Sequence, residues 1–250
     1  SLQNAYIKEI ASLKEKKYRD IKKEFIIEGE HLVRMALASN KLKTLIITED
    51  EIKNYSEYLD KYETLIVSEA IIKKLSFSKS PQNVLGVAFK NEDKDIEGNK
   101  LLLLDKIQDP GNLGSILRSA LAFNMDGVIL SSDSVDLYND KVIRSSQGAI
   151  FEIDVYIKDL ESVYKKLKQS DYQIIVSTLS DDSISLEELS IPKKLVLVLG
   201  NEGNGVSKLS LDNSDTKVKI SMSNKIDSLN VGVAGAIIMY KIYKEYNNGY

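Results

Sequence analysis

The sequence predicts an α/β protein of two domains, the second built around a parallel sheet. Three observations carry that prediction. Short β-type runs alternate with helical patterning along the whole chain. After residue 100 the β-type runs become apolar stretches: Leu101–Leu104, Val128–Leu130, Ile174–Val176 and Leu195–Leu199, all unbroken, and Val218–Ile220, interrupted only by Lys219. Such runs belong to strands covered on both faces by helices. Finally, the stretch 91–99 is polar, charged and nearly free of apolar residues, which marks a linker. At 250 residues, with 43% hydrophobic and 28% charged content, the chain is long enough to bury a substantial core.

Taken in order, residues 1–24 read as a basic helical segment, with Lys8, Lys14, Lys16, Lys17, Arg19, Lys22 and Lys23 against four acidic groups. Phe25-Ile26-Ile27 reads as a strand, His31–Ala38 as a helix and Leu45-Ile46-Ile47 as a second strand. Leu65-Ile66-Val67 precedes a helix over Ala70–Leu75, and Val84–Phe89 closes a small α/β domain, residues 1–95. Residues 96–250 form the second domain. Its helices are expected at about 113–124, 139–147, 159–169 and 205–211, with a closing helix from Val231 to about Tyr246. No internal repeat or low-complexity tract interrupts this order.

Composition excludes much chemistry. There is no Cys and one His, His31, which removes disulfides, thiolate nucleophiles and paired-His metal sites. A Ser-His-Asp triad has little room. Any reaction must therefore run on Arg, Lys, carboxylates, amides, hydroxyls and backbone groups, and no metal is expected. The net charge is −3, so a nucleic-acid contact must be local rather than a bulk attraction. No stretch approaches the roughly 18 apolar residues that span a bilayer. The start, Ser1-Leu2-Gln3-Asn4, has neither an initiator Met nor an apolar signal core. A cytoplasmic chain with no membrane partner is expected.

In parallel-sheet folds ligands gather beyond the carboxyl ends of the strands, which directs attention to the loops after Leu104, Leu199 and Ile220. The first contains Gln108-Asp109-Pro110-Gly111-Asn112, a turn in which Asn112 is expected to cap the next helix. Arg118 follows about one and two-thirds turns later. It is one of four Arg against 30 Lys. The second, Gly200-Asn201-Glu202-Gly203-Asn204-Gly205, has three glycines that allow close backbone approach. It lacks the Gly-x-Gly-x-x-Gly and Gly-Lys-Ser/Thr patterns of nucleotide loops, and Glu202 suits a cationic ligand better than a phosphate. The third runs Ile220-Ser221-Met222 into Ser228-Leu229-Asn230-Val231, where Ser228 or Asn230 caps the closing helix.

Together, Asn112 with Arg118, the glycine turn, and Ile-x-Met ahead of Ser-Leu-Asn-Val resemble the SpoU/TrmH branch of the SPOUT RNA methyltransferases, over about residues 101–246. Lys141 through Arg144-Ser145-Ser146-Gln147-Gly148-Ala149 matches as well. In the front domain, Phe25-Ile26-Ile27-Glu28-Gly29 and Ser80-Pro81-Gln82-Asn83-Val84 resemble the substrate-binding domain of ribosomal RNA 2′-O-methyltransferases, itself similar to small ribosomal proteins that bind RNA.

The resemblance implies a second domain with a deep trefoil knot that binds S-adenosyl-L-methionine, and transfer of its methyl to a ribose 2′-hydroxyl, with ribosomal RNA favoured over transfer RNA. A non-catalytic RNA-binding protein of the same fold is the rival from another class. The implied cofactor residues are Leu199, Gly200, Gly205, Ile220, Met222 and Leu229; the implied catalytic ones are Arg118, Asn112, Glu202 and Asn230. Lys16, Lys17, Arg19, Lys22 and Arg144 become candidate RNA contacts. Relatives act as homodimers, and the closing helix, with Val231, Val233, Ile237, Ile238 and Tyr240, offers an apolar face for that. Where many relatives carry Pro, Glu and Ser this chain has Ser221, Asp227 and Gly232, and Gly232 has no hydroxyl to offer a substrate.

Overall fold

The computed structural model describes residues 3–249. Ser1 and Leu2, part of the opening read above for a signal, lie outside the described residues. The chain divides into two compact units, 1–92 with 136–152, and 93–135 with 153–250.

The first unit opens with two helices, α1 (Ala5–Ser12) and α2 (Lys16–Lys22), where the sequence suggested one basic segment. Strands β1 (Glu24–Glu28), β2 (Leu42–Ile47), β3 (Glu63–Ile66) and β4 (Val84–Phe89) form a sheet of order β1-β4-β2-β3. Helices α3 (Glu30–Ala38) and α4 (Glu69–Leu75) complete it, with a 3₁₀ segment at Glu49–Tyr58 that no apolar period announced. Ile7, Ile10 and Leu13 pack with Ile26, Ile46, Ile72, Leu75 and Leu85 in one core.

Segment 136–152 departs from the expected boundary, which placed it with the second domain. Its apolar residues have their partners in the first unit: Tyr138 packs on Phe25 with ring centroids 4.8 Å apart, and Phe151 stacks on the same ring at 6.1 Å. The Tyr138 hydroxyl accepts the Asn91 backbone N–H at 2.8 Å.

The second unit holds β5 (Lys100–Leu104), α5 (Pro110–Ala122) and β6 (Gly127–Ser131). The chain then contributes α6 (Asp140–Ser146) to the first unit and returns. It continues through β7 (Val155–Lys158), α7 (Leu160–Gln169), β8 (Gln173–Ser177), the two-residue β9 (Ile184–Ser185) and β10 (Leu195–Leu199). Helix α8 (Lys208–Asp212), β11 (Thr216–Lys219) and α9 (Val231–Gly249) end it. Among the described residues the sheet order is β7-β6-β5-β10-β8-β11-β9, and every pairing is parallel.

The central strands are buried throughout, which is why their sequences are unbroken apolar runs. Strand β7 escaped the sequence pattern because it is an edge: Ile157 is exposed and only Val155 and Tyr156 are buried. The register Leu199↔Leu104 brings the carboxyl ends of β10 and β5 level, so the loops after both open at one edge of the sheet.

Candidate active site

That edge carries a cavity of about 650 Å³, within the range of small-molecule sites. Its lining draws on several segments distant in sequence. Leu199, Gly200, Asn201, Glu202, Gly205 and Val206 come from the turn after β10. Ile220, Met222, Ser228 and Leu229 come from the segment after β11, Asn230, Val231 and Ala234 from the start of α9, and Asn112 from the first turn of α5.

The turn after β10 is shaped by backbone. Asn201 and Gly205 exchange N–H···O bonds of 2.9 Å in both directions. A Cβ on Gly200 would lie 2.3 Å from Gly205 C and Val206 N, so no other residue fits there. Asn201 Nδ2 donates to the Lys106 carbonyl at 2.8 Å and fastens the turn to the end of β5.

Glu202 fastens it further. Its carboxylate accepts the backbone N–H groups of Asp109 at 3.0 Å and Gln108 at 3.2 Å, and the Asn112 side-chain amide at 3.3 Å. Burial pushes the Glu202 pKa up, but these donors outweigh it and leave the carboxyl below its ordinary value. It is held as an anion at the entrance to α5. Asn112, expected as the cap of that helix, is not the cap: Asp109 Oδ1 accepts the Asn112 N–H at 2.8 Å, and Asp109 is the N-cap. Pro110 at the first helical position explains the shift, since its fixed φ starts the helix three residues earlier. Asn112 is thereby free to donate to Glu202 and to accept from Asn230 Nδ2 at 3.0 Å. Asn230 Oδ1 takes the N–H groups of Gly232 at 2.8 Å and Val233 at 3.2 Å, which caps α9.

The three loops singled out in the sequence thus meet, and Asn112, Glu202, Asn230, Leu199, Gly200, Gly205, Ile220, Met222 and Leu229 all line the cavity. Arg118 does not. It is exposed on α5 and has no hydrogen-bond or ion-pair partner among the described residues. Sequence reasoning missed Ser177, Thr178, Leu179 and Ser180, which also line the cavity. The signal was present: β8 is another buried parallel strand beside β10, and the rule that points to loops beyond carboxyl ends covers its loop too.

The candidate RNA residues lie in the first unit. Arg19 must be corrected. It is 7% exposed, and its guanidinium donates to Leu13 O at 3.0 Å, Lys14 O at 2.8 Å and Asp136 Oδ2 at 2.7 Å, so it is committed to packing. Lys16 pairs with Asp20 at 2.6 Å, Lys22 with Glu9 and Arg144 with Asp140 at 3.4 Å, all on the surface. Lys17 is exposed, its ammonium 5.6 Å from the Tyr18 ring centre.

Residues 99–240 match the SpoU rRNA Methylase family. The chain belongs to that family. Residues 4–86 match the MRM3-like substrate binding domain. A relative in Bacillus subtilis (strain 168), the 23S rRNA (guanosine(2553)-2'-O)-methyltransferase RlmP, is 33% identical over 242 residues, covering 97% of each chain. Among solved structures, an AdoMet-bound rRNA methyltransferase from Sinorhizobium meliloti aligns with a TM-score of 0.87 at 27% identity, over 98% of this chain and 96% of that one. A putative RNA methyltransferase of the TrmH family from Porphyromonas gingivalis gives 0.88 at 30% identity, over 97% and 98%. Among the described residues no group of His, Cys, Asp and Glu is arranged to hold a metal, and no helix is long and apolar enough to cross a membrane.

Proposed function

We propose that this protein is an S-adenosyl-L-methionine-dependent RNA 2′-O-ribose methyltransferase acting on ribosomal RNA. The observation that carries the reading is the hydrogen-bonded chain Asn230–Asn112–Glu202 on the wall of a cavity that the glycine turn helps to enclose. The residues fit the cofactor. Leu199, Ile220 and Leu229 offer apolar faces to adenine, and the tight turn at Gly200 exposes backbone to the ribose and the amino-acid portion.

The bound cofactor supplies an electrophilic methyl on sulfonium together with its own leaving group. What remains for the protein is to hold a ribose hydroxyl in line and relieve it of its proton. Asn112 and Asn230 fix the wall against which the ribose is oriented, and Glu202 keeps that wall registered on the turn. Arg118, exposed and unpaired, suits a clamp on the RNA phosphate that also stabilises developing alkoxide charge. A guanidinium keeps its proton at ordinary pH, so the hydroxyl proton leaves to a phosphate oxygen or water.

A homodimer fits the same surface. Val233, Ile237 and Tyr240 leave an exposed apolar strip on α9, and Leu121 continues it on α5, one helical turn from Arg118. Pairing two copies there covers the strip and encloses the arginine beside it. The first unit serves as the RNA-binding domain, with Lys16, Lys17, Lys22 and Arg144 as surface cations. The second unit carries the trefoil knot of its family, and the protein works in the cytoplasm.

Mapping 2′-O-methyl groups in RNA from cells with and without this protein tests the reading. A ribosomal RNA site that disappears with the protein is expected. Loss from transfer RNA alone would overturn the substrate, and absence of any S-adenosylmethionine binding in calorimetry would overturn the activity.

A further inference from the structure

We propose that Asp105 is a positioning residue for the cofactor, setting the glycine turn from beneath without touching the reactants. The proposal rests on the reading of the cavity as an S-adenosylmethionine site. Asp105 stands one residue past β5 and is 1% exposed. Its backbone N–H donates to Leu199 O at 2.9 Å, tying the ends of β5 and β10 together where the turn begins. Its side chain holds the place where the turn ends. Oδ2 accepts the Ser207 backbone N–H at 2.8 Å, the Ser207 hydroxyl at 2.6 Å and the Ser210 hydroxyl at 2.6 Å. Tyr164, reaching over from α7, donates its hydroxyl to Ser210 Oγ at 2.6 Å. Burial pushes the Tyr164 pKa up, so the phenol stays a donor.

A buried carboxylate with no cation beside it is a costly way to end a strand. Asp105 has no ion-pair partner among the described residues, and its Oδ1 is buried without a hydrogen-bond partner there. What the group gains is grip on a turn that has no slack. Gly200 touches the backbone of Gly205 and Val206, and Asn201 and Gly205 are bonded in both directions, so residues 200–206 shift as one body. Glu202 and Asn201 fasten that body to the 106–112 segment, and Asp105 fastens its exit through Ser207. Leu199, before the turn, and Gly205 and Val206, within it, line the cavity together. Asp105 therefore sets the separation between them, which a cofactor held by backbone groups must match. Glu202, by contrast, joins the Asn112–Asn230 wall where the ribose is oriented. The two carboxylates divide the work: Asp105 acts on cofactor affinity and Glu202 on the transfer step.

The test compares wild type, Asp105→Asn, Ser207→Ala and Tyr164→Phe in the full chain. Calorimetry measures S-adenosylmethionine and S-adenosylhomocysteine binding. Steady-state kinetics varies S-adenosylmethionine against an unmodified 23S ribosomal RNA transcript. Asp105→Asn is expected to weaken both ligands by about tenfold or more, as for loss of hydrogen bonds to a charged group. KM for S-adenosylmethionine rises to match while kcat at saturation changes little. Ser207→Ala and Tyr164→Phe move affinity in the same direction by less. Variants that bind both ligands like wild type, or that lose kcat at unchanged KM, overturn the proposal. Should Asp105→Asn fail to fold, Ser207→Ala decides: weaker binding supports the proposal and wild-type binding overturns it. A wild-type chain that binds neither ligand overturns the reading of the cavity and the proposal with it. Wild-type binding alongside unaffected variants overturns the proposal alone.

Discussion

Asn230 faces Asn112 across the rim of the cavity and donates its side-chain amide to the Asn112 carbonyl oxygen at 3.0 Å, joining the start of α9 to the start of α5. The two residues are 118 positions apart in sequence, and each has a further task. Asn112 passes the chain on to Glu202, whereas Asn230 caps α9.

That difference separates the effects of removing them. Asn230→Ala is expected to cost about 1 kcal/mol of stability through the lost cap, together with methyl transfer. Asn112→Ala leaves the α5 cap to Asp109 and should cost activity with little change in stability. Urea unfolding beside initial rates of RNA methylation distinguishes the two. Equal destabilisation by both would refute the assignment.

Glu202→Gln keeps the shape but replaces an anion that gathers two backbone donors and an amide. A neutral amide accepts more weakly, so the 108–112 turn loosens and the rate falls by about tenfold to a hundredfold. Turnover with saturating S-adenosylmethionine and RNA reads this. Wild-type turnover in the variant would show that the charge is dispensable.

Arg118 lies outside the cavity lining, so Arg118→Lys should leave S-adenosylmethionine affinity untouched. An ammonium cannot grip a phosphate through two parallel bonds, and turnover should drop at least about tenfold. Near-normal turnover in the lysine variant would remove the planar, bidentate contact from the mechanism.

Arg19 and Lys17 make the opposite pair in the first unit. Arg19→Met strips three contacts, one buried and two part-buried, and leaves Asp136 without its cation, at an expected cost of about 2–4 kcal/mol. RNA affinity of the folded variant should hold. Lys17→Ala should leave stability unchanged and lower the slope of log affinity against log salt by about one. Filter binding across a salt series, with urea midpoints alongside, checks both.

Alkaline pH addresses the first unit through its phenols. Burial holds the Tyr138 hydroxyl up at about 12, helped by nearby Asp136 and opposed by the Asn91 N–H, and burial likewise raises Tyr55 to about 12. Both folded values lie above the unfolded one. Their contribution is full below pH 10 and fades as pH climbs from 10 to 12, by about 2 kcal/mol for Tyr138. Urea midpoints of the Tyr138→Phe variant should therefore fall less steeply over that window than those of wild type. Parallel curves would rule the phenol out as the cause.

Much of this was written in the sequence. Continuous apolar runs such as Leu195–Leu199 announced a buried parallel sheet because both faces of such a strand meet helices. The carboxyl ends of those strands directed attention to the loops at 108–112, 200–205 and 220–230, and the family resemblance of the three together marked them as the site. What period and composition could not supply was long-range pairing. The attachment of 136–152 to the first unit depends on Tyr138 and Phe151 finding Phe25 more than a hundred residues away. The capture of Arg19 by Asp136 and the grip of Asp105 on Ser207 are decided the same way, by which distant segments of the chain lie side by side. Local sequence fixes the shape each segment prefers; only the folded sheet decides which buried charges and turns become neighbours, because that choice comes from burial summed over the whole core.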